Sequence, residues 1–394
     1  MFKTKKLDWL FNLRFIAALY FAVTVAISLL QYYQGNKTFD NRTYTRYNNY
    51  VIFTHSYQHL AQNQNPYQQW PEEHWDLYKY SPSFCLLMYP FTLRPNLPGL
   101  VVWNLLNAFV LLIAVYFMTG ISDKLKATAL LFILPELIVS LQNSQSNGLV
   151  AGLMVAGFNM LQSRRFVLAT LLICISAYIK VFGGLAFILC LFYTYRWKAA
   201  LAATCWMIAF AALPLLVINV DQLIKVYLFW GDMLANDQNM SVGLSVLGWL
   251  KTWFKYDAPK NVVTAIGLLL LVMPLLRFKL YKDNTFRVFM LSSVLIWVVI
   301  FNHKAESPTF VIAITGAILW YLFSEKSKLN LTLLLLAFVF ASLSPTDLFP
   351  RYLRANFVAP YVLKAVPMIV LWLKIQYDLL SMKTVSTVSQ KSFN

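Results

Sequence analysis

Three acidic residues lie within five positions of the chain, in the polar and aromatic stretch NPYQQWPEEHWDLYKYSP at 65–82. Glu72, Glu73 and Asp76 are surrounded there by aromatic rings and by Lys79. Carboxylates beside aromatic surfaces suit the binding of a sugar, and a carboxylate can also take a proton from a reacting hydroxyl group. The same pattern fits an ordinary solvated loop, so the rest of the chain has to decide between these interpretations.

The composition indicates a membrane protein with many helices. Of the 394 residues, 59% are hydrophobic and 12% are charged, whereas soluble domains carry about 25% charged residues. Apolar runs of membrane-spanning length, about 20 residues, recur from Leu13 onward. The net charge of +17 lies mostly in short loops between these runs, as in cytoplasmic loops of membrane proteins. It therefore favours membrane topology and anionic lipid contact over nucleic-acid binding.

We predict an all-α polytopic protein that forms a single integral membrane domain over residues 1–394, with about twelve spans and the N-terminus in the cytoplasm. The first apolar run is longer than the roughly 7–15 residues of a signal peptide, so we expect a retained helix at 13–31. A long first outer loop, about 32–96, carries interfacial helices, because the apolar run 82–93 is too short to span a bilayer. The other predicted spans with defined limits are 97–118, 127–141, 148–161, 166–179, 199–218, 261–276, 308–323, 329–343 and 358–374. Residues 219–260 form a second outer loop, and we expect a disordered tail at 384–394.

Five cationic or imidazole side chains fall on the outer face, where topology does not explain them: Lys180, His303, Lys304, Arg351 and Arg354. Lys180 lies between two apolar helices, and charged groups at membrane depth are functional candidates. We interpret it as a partner for a phosphate rather than as a residue that snorkels to lipid headgroups. His303 and Lys304 fit a phosphate too, although Lys304 also fits an ion pair with Glu306. The two arginines share a helix face and suit either a phosphate or lipid headgroups.

Uncharged polar residues and acids complete the candidate site. The amides Gln142, Asn143 and Asn147, with Tyr80 and Trp75, fit sugar hydroxyls, although the amides taken alone favour an ordinary interhelical turn. The candidates for a catalytic base are Asp76, Glu73 and Asp40. The four cysteines have no metal-like spacing and form no CxxC pair, and the chain has no P-loop, dinucleotide-binding glycine pattern or HExxH motif. The sequence thus indicates no metal ligands and no certain cofactor, and it leaves dependence on a divalent metal open.

A series of short motifs resembles one class of membrane enzymes. The motifs are Asn65-Pro66-Tyr67, Tyr78-Lys79-Tyr80-Ser81-Pro82, Trp103-Asn104, Gln142-Asn143 and the residues from Ala177 to Lys180. In this order, and with a long loop after the first helix, they resemble the GT-C glycosyltransferases. The branch they resemble is glycosyltransferase family 87, which contains polyprenyl-phosphate-mannose-dependent α-mannosyltransferases. The resemblance implies a GT-C-like fold, a lipid-phosphate-linked sugar donor reached from the outer leaflet, and inverting transfer to an acceptor hydroxyl.

The resemblance also implies an essential acid early in the first outer loop, and here the chain departs from the pattern. Where relatives tend to carry Asp ahead of the Asn-Pro-Tyr motif, this chain reads Tyr47-Asn48-Asn49-Tyr50. Asparagine cannot act as the base. The role then falls to Asp40 or to the group of acids at 72–76, or else the chain is a divergent or inactive member.

Together, these features predict a glycosyltransferase that moves a hexose, such as mannose, from a polyprenyl-phosphate-linked donor to a hydroxyl of a glycan or glycolipid. The enzyme would lie in the bacterial inner membrane with its active site on the periplasmic face, and it would bind no nucleic acid. The alternatives are a structural subunit of an envelope complex and a transporter or flippase of lipid-linked sugars, for which Glu136 would be the main charge inside a span. Transporters usually contain internal repeats, and the sequence has no convincing repeat.

Overall fold

The computed structural model describes residues 11–92, 96–236 and 243–383. In these ranges, four helices are long and apolar enough to cross a membrane, and six shorter apolar helices accompany them. The helices are α1 Leu13–Tyr33, α2 Asn48–Ala61, α3 Pro82–Leu87, α4 Asn96–Tyr116, α5 Asp123–Gln142, α6 Asn147–Gln162, α7 Phe166–Ile179, α8 Arg196–Ala212, α9 Val220–Asn236, α10 Val246–Phe254, α11 Lys260–Val272, α12 Asn284–Ile300, α13 Phe310–Phe323, α14 Lys328–Ala337, α15 Arg351–Leu353 and α16 Val366–Ser381. The chain is a helical membrane protein.

Several shorter segments have tighter or wider helical turns. The 3₁₀ segments are Tyr89–Phe91, Val181–Phe192, Leu213–Leu216, Met273–Leu276, Phe278–Leu280 and Ser307–Thr309. The π-helical segments are Phe338–Leu343 and Arg354–Val358. The segment Val181–Phe192 matters most for the site, because it follows α7 after the single residue Lys180 and so fixes where that side chain lies.

The polar segment between α1 and α4 contains a hairpin and two helices. Strands β1 Asn36–Phe39 and β2 Arg42–Thr45 pair antiparallel, and Asp40 and Asn41 make the turn with φ values of 48° and 60°. Asp and Asn tolerate this left-handed conformation better than other side chains. Helix α3 has six residues, and the Ser81 side chain accepts a hydrogen bond from the Phe84 N–H at its start. Six helical residues are too few to cross a bilayer.

Close helix packing forms the centre of the bundle. Helices α12 and α13 are buried along almost their whole length, and α6 packs against both α4 and α7. Gly152 of α6 lies against the backbone of α4, where an added Cβ would come within 2.6 Å of the Leu111 nitrogen. Small residues allow such close approach between apolar helices. This packing fixes the ends of α5, α6, α7 and α12 relative to one another.

The helix connections gather at two opposite ends of the bundle. At one end, Gln145 in the α5–α6 turn donates to Glu306 in the α12–α13 connection at 2.9 Å. At the other end, Arg287 near the start of α12 donates to the Phe192 carbonyl at 3.2 Å, and Gln162 at the end of α6 donates to Asn284. Lys180, which follows α7, contacts Asn147 at the start of α6. The α5–α6 turn, the C-terminal end of α7 and the α12–α13 connection therefore share one end of the bundle.

Most of the predicted spans with defined limits agree with observed helices to within a few residues, but the last one does not. We predicted a helix at 358–374, whereas α16 covers Val366–Ser381. The preceding chain is π-helical and then turns at Val362, whose φ of 54° cannot continue a right-handed helix. The predicted second outer loop contains α9 and α10. The predicted disordered tail lies outside the described residues, and the number of spans stays a prediction.

A buried ion pair joins three parts of the bundle. Lys364, just before α16, lies 2.8 Å from the Glu136 carboxylate of α5, and the two side chains are 4% and 0% exposed. Lys364 also donates to the Ser307 hydroxyl at 2.8 Å. Buried charges persist in proteins when they are paired and hydrogen-bonded. Glu136 thus has a charge partner that holds the α12–α13 connection against α5.

Candidate active site

Segments far apart in the sequence converge on one cavity of about 270 Å³, which we call the first cavity. Its polar lining comes from the segment between α1 and α4, the α5–α6 turn, the end of α7 and the α12–α13 connection. The polar and charged residues are Asn49, Asp76, Lys79, Tyr80, Ser81, Gln145, Lys180, Asn302, His303, Lys304, Glu306 and Thr309. The structure thus brings together five of the predicted site residues, which are Asp76, Tyr80, Lys180, His303 and Lys304.

Lys180 is held in place by a chain of polar contacts. Its ammonium group donates to Asn147 Oδ1 at 2.6 Å, and the Asn147 amide donates to Gln145 Oε1 at 2.6 Å. Gln145 in turn donates to the Glu306 carboxylate at 2.9 Å. The rings of Tyr80 and Phe182 each lie 5.8 Å from the Lys180 ammonium, a distance at which an aromatic face attracts a cation. The position of Lys180 is therefore fixed from both sides.

Among the residues that the structure describes, the first cavity is lined by two carboxylates and a larger number of cations. Asp76 accepts a hydrogen bond from the Leu77 N–H at 2.7 Å and lies 3.2 Å from the Lys79 ammonium, with 44% of its side chain exposed. The second carboxylate is Glu306, at the far end of the Lys180 chain of contacts. Three lysines and a histidine line the same space. Such a site can hold a phosphate through its cations and still leave a carboxylate open to solvent for proton transfer.

An apolar part of the first cavity lies on the side of α7 and α9. It is formed by Ile179, Val181, Phe182, Trp230 and Leu234, whereas Ile52, Phe53 and Leu77 line the cavity from the segment between α1 and α4. Val181 is 61% exposed, although it directly follows the fixed Lys180. A cationic centre therefore adjoins an apolar surface that opens to the outside of the bundle. This combination fits a ligand with a phosphate headgroup and a long apolar tail.

Two of the predicted bases lie outside this cavity. Asp40 is in the exposed turn of the hairpin. Glu73 Oε2 lies 2.6 Å from Nδ1 of His55 and 3.0 Å from Nε2 of His59. Partial burial raises the pKa of Glu73, but the two imidazoles outweigh it, so the net pKa is below the usual value. Glu73 is thus engaged as a hydrogen-bond acceptor between two histidines.

The other predicted residues are divided among three places. Arg354 pairs with Asp347 at 2.9 Å, and neither Arg354 nor Arg351 lines the first cavity. Asn147 is fully buried behind Lys180. Trp75, Gln142 and Asn143 line a neighbouring cavity of about 300 Å³, which we call the second cavity. In the part of the chain that the structure describes, no group of three or more His, Cys, Asp or Glu residues could hold a metal ion.

Glu306, Trp230 and Asn49 line the first cavity but were not among the predicted site residues. Glu306 was treated only as a neighbour of Lys304, and Trp230 was not considered. Asn49 occupies the region where the resemblance implies an acid, and it lines both cavities. Its amide donates to the Asn143 carbonyl at 2.9 Å. The fold brings Asn49 to Asn143, and Glu306 and Trp230 to the same cavity, across many intervening residues. The spacing of sequence motifs does not report such tertiary contacts.

Comparison with known proteins adds one finding. Residues 78–346, about two thirds of the chain, match the family model described as Glycosyltransferase family 87. The matched range includes Lys180, Gln145 and the connection at 302–306, and it begins just after Asp76. No curated protein matches the chain.

Proposed function

This chain belongs to glycosyltransferase family 87, and from this premise we propose that it transfers a hexose, such as mannose, from a polyprenyl-phosphate-linked donor to a hydroxyl of a glycan or glycolipid. The observation that carries the proposal is the shared position of Lys180, Lys304 and Asp76 around one cavity. These residues supply the two functions that the transfer needs, which are a site for the leaving phosphate and a base for the acceptor.

The cations of the first cavity support the assignment of the donor phosphate. As the bond from the sugar to the phosphate breaks, negative charge grows on the leaving polyprenyl phosphate. Fixed positive groups stabilise that charge more in the transition state than in the bound donor. Lys180 is the best-positioned group because Asn147, Tyr80 and Phe182 hold it. Lys304 and His303 lie on the opposite connection and complete the phosphate site.

The apolar side of the first cavity supports a lipid-linked donor. Trp230 and Leu234 of α9 and the exposed Val181 provide a surface for the first units of a polyprenyl chain. Burying apolar surface stabilises such contacts by roughly 25 cal/mol per Å². A nucleotide-sugar donor would make no use of this surface. The longer remainder of the lipid tail would stay in the bilayer.

Asp76 is the proposed catalytic base. It would take the proton of the acceptor hydroxyl while that oxygen attacks the anomeric carbon, and the phosphate would leave from the opposite face with inversion. Asp76 is open to solvent in the first cavity, and Trp75 next to it lines the second cavity. The base therefore lies at the boundary between the two spaces. We give Glu306 a different role, which is to orient Lys180 through Gln145 and Asn147.

Charge distribution supports the proposed location, a multi-pass protein of the bacterial inner membrane with the site on the periplasmic face. The connections at the end of the bundle away from the first cavity are rich in lysine and arginine. They include Arg164, Arg165, Arg196, Lys198, Lys279, Lys282 and Arg287. Basic residues concentrate in cytoplasmic loops, and this supports a position of the first cavity on the other side of the membrane.

The test is a transfer assay with the protein reconstituted in liposomes. The donors are polyprenyl-phosphate [¹⁴C]mannose, the corresponding glucose lipid and GDP-[¹⁴C]mannose, and the acceptors are envelope glycans extracted from the source cells. We expect label to move from a lipid donor, to be lost with Lys180→Met, and to persist with Lys282→Met at the other end of the bundle. Transfer from the nucleotide sugar alone would contradict the proposal. Movement of an intact lipid donor across the bilayer without transfer would favour the flippase alternative.

A further inference from the structure

The second cavity lies between α1, the hairpin, α2 and the α5–α6 turn, and it has a volume of about 300 Å³. We infer that this cavity is the acceptor site and that it selects a saccharide that carries an anionic group. The inference rests on the proposed transfer function and adds the chemical class of the acceptor to it.

The position of the second cavity next to the proposed base supports this assignment. Asn49 lines both cavities, so the two spaces meet at one side chain of α2. Trp75 lines the second cavity and Asp76 lines the first. An acceptor that extends from the second cavity toward the first therefore brings a hydroxyl past Asn49 to Asp76. A ligand in the second cavity would not have to displace the donor.

The uncharged polar residues among those that line the second cavity suit a carbohydrate. Asn48 is 3% exposed, and its Oδ1 accepts a hydrogen bond from the backbone N–H of Trp75 at 3.3 Å. Its Nδ2 has no hydrogen-bond partner among the described residues. A buried amide without a hydrogen-bond partner is unfavourable, and a ligand hydroxyl can supply that partner. Gln31 of α1 is 5% exposed and already donates to the Gln142 carbonyl at 2.6 Å, so the amide lining is held in place. The Trp75 ring adds an apolar surface beside these amides.

The charge of the second cavity points to an anionic group on that carbohydrate. Lys37 and Arg46 both line it, and no Asp or Glu among the described residues does. Lys37 lies 5.5 Å from the centre of the Trp75 ring. Arg46, which directly follows β2, forms no ion pair with any residue that the structure describes, whereas Arg42 at the start of β2 pairs with Glu72 at 3.1 Å. Two cations without a carboxylate favour a ligand that brings its own negative charge, either a carboxylate or a phosphate.

The first arm of the test identifies the charge of the acceptor. Envelope glycans and glycolipids from the source cells are separated on an anion exchanger, and each fraction is given to the reconstituted protein with polyprenyl-phosphate [¹⁴C]mannose. We expect label in the anionic fraction. Coupling the carboxylates of that fraction to an uncharged amine distinguishes the two sources, because it abolishes acceptance by a uronic acid and leaves a phosphate-bearing acceptor active.

The second arm connects the charge to the cavity. Arg46→Gln and Lys37→Gln should each raise the KM for the anionic acceptor about tenfold, as expected for loss of one charge-assisted contact. The kcat and the KM for the donor should stay within about twofold of the wild type, which corresponds to less than 0.5 kcal/mol or so. Arg42→Gln removes an equal charge from the hairpin, outside the cavity, and should change none of these values.

The outcomes separate the inference from the function on which it rests. Label in the neutral fraction, or unchanged acceptor KM in both cavity variants, overturns the anionic acceptor and leaves the transferase intact. A rise of the donor KM in Arg46→Gln places the arginine in donor binding and also overturns the inference. If no fraction accepts label from any lipid donor, the proposed transfer itself fails.

Discussion

Replacement of Asp76 by Asn tests the identity of the catalytic base. The variant keeps the size and shape of the side chain, and the Asn Oδ1 can still accept the hydrogen bond from the Leu77 N–H that Asp76 accepts at 2.7 Å. What it removes is the ability to take a proton. It also removes the charge that faces Lys79 at 3.2 Å.

The structure allows the two effects to be sized separately. The Asp76 and Lys79 side chains are 44% and 34% exposed, and exposed ion pairs contribute about 0–1 kcal/mol. The unfolding midpoint of the variant should therefore lie within a few degrees of the wild-type value, since about 1 kcal/mol shifts the midpoint by only that much in a chain of this size. General-base catalysis contributes roughly 10²–10⁴-fold to a rate. We expect kcat to fall by that factor while the KM for the donor changes little.

The assay measures initial rates of transfer from polyprenyl-phosphate [¹⁴C]mannose, together with thermal unfolding of the same samples. Glu72→Gln is the matched control, because Glu72 is an exposed acid of the same segment that pairs with Arg42 outside both cavities. We expect it to keep wild-type kcat. A kcat for Asp76→Asn within about threefold of the wild type, a change of under 1 kcal/mol or so in the barrier, would refute the assignment of the base.

Three further predictions follow from other contacts. Glu306→Gln weakens the acceptor of the chain of contacts that orients Lys180, so the donor KM in the transfer assay should rise about tenfold, whereas an unchanged KM would exclude this role. Glu136→Gln leaves Lys364 buried beside a weaker acceptor and should lower the free energy of unfolding by about 3–5 kcal/mol. The double variant Glu136→Leu with Lys364→Met should recover most of the lost stability in thermal unfolding. An equal loss of stability in the single and the double variant would contradict the assignment of a buried ion pair. Burial lowers the pKa of His74 from its ordinary value of 6.5 to about 4. Between these two pH values the unfolded chain binds a proton that the folded chain does not, so stability should fall as the pH drops from 6.5 to about 4. His74→Gln should flatten this slope of the unfolding midpoint against pH, and an unchanged slope would show that other groups cause it.

The positions of most helices were predictable from the sequence because apolar runs and basic loops carry that information directly. The short run at 82–93 was predicted not to span, and the structure gives it a six-residue helix. The final helix was misplaced because hydropathy does not report the local turn at Val362, whose φ is positive. An apolar run continues through such a turn without any change in composition.

The candidate site was predictable to the level of segments and less so to the level of residues. Unexplained charge at the predicted outer face selected Lys180, His303 and Lys304 as candidates, and all three line the first cavity. The same criterion selected Arg351 and Arg354, which do not line it, because outer-face charge does not distinguish a cavity from an exposed surface. Composition also could not distinguish Glu73, held between His55 and His59, from Asp76 only three residues away.

The most direct test of the account is a cryo-EM structure of the protein with a non-hydrolysable polyprenyl-phosphonate analogue of the mannose donor. We predict that the phosphonate lies about 3 Å, hydrogen-bond distance, from the Lys180 ammonium in the first cavity, with the sugar directed toward Asp76 and the prenyl chain along Trp230. A phosphonate bound away from Lys180, for example at Arg351 and Arg354, with the first cavity empty, would contradict the account.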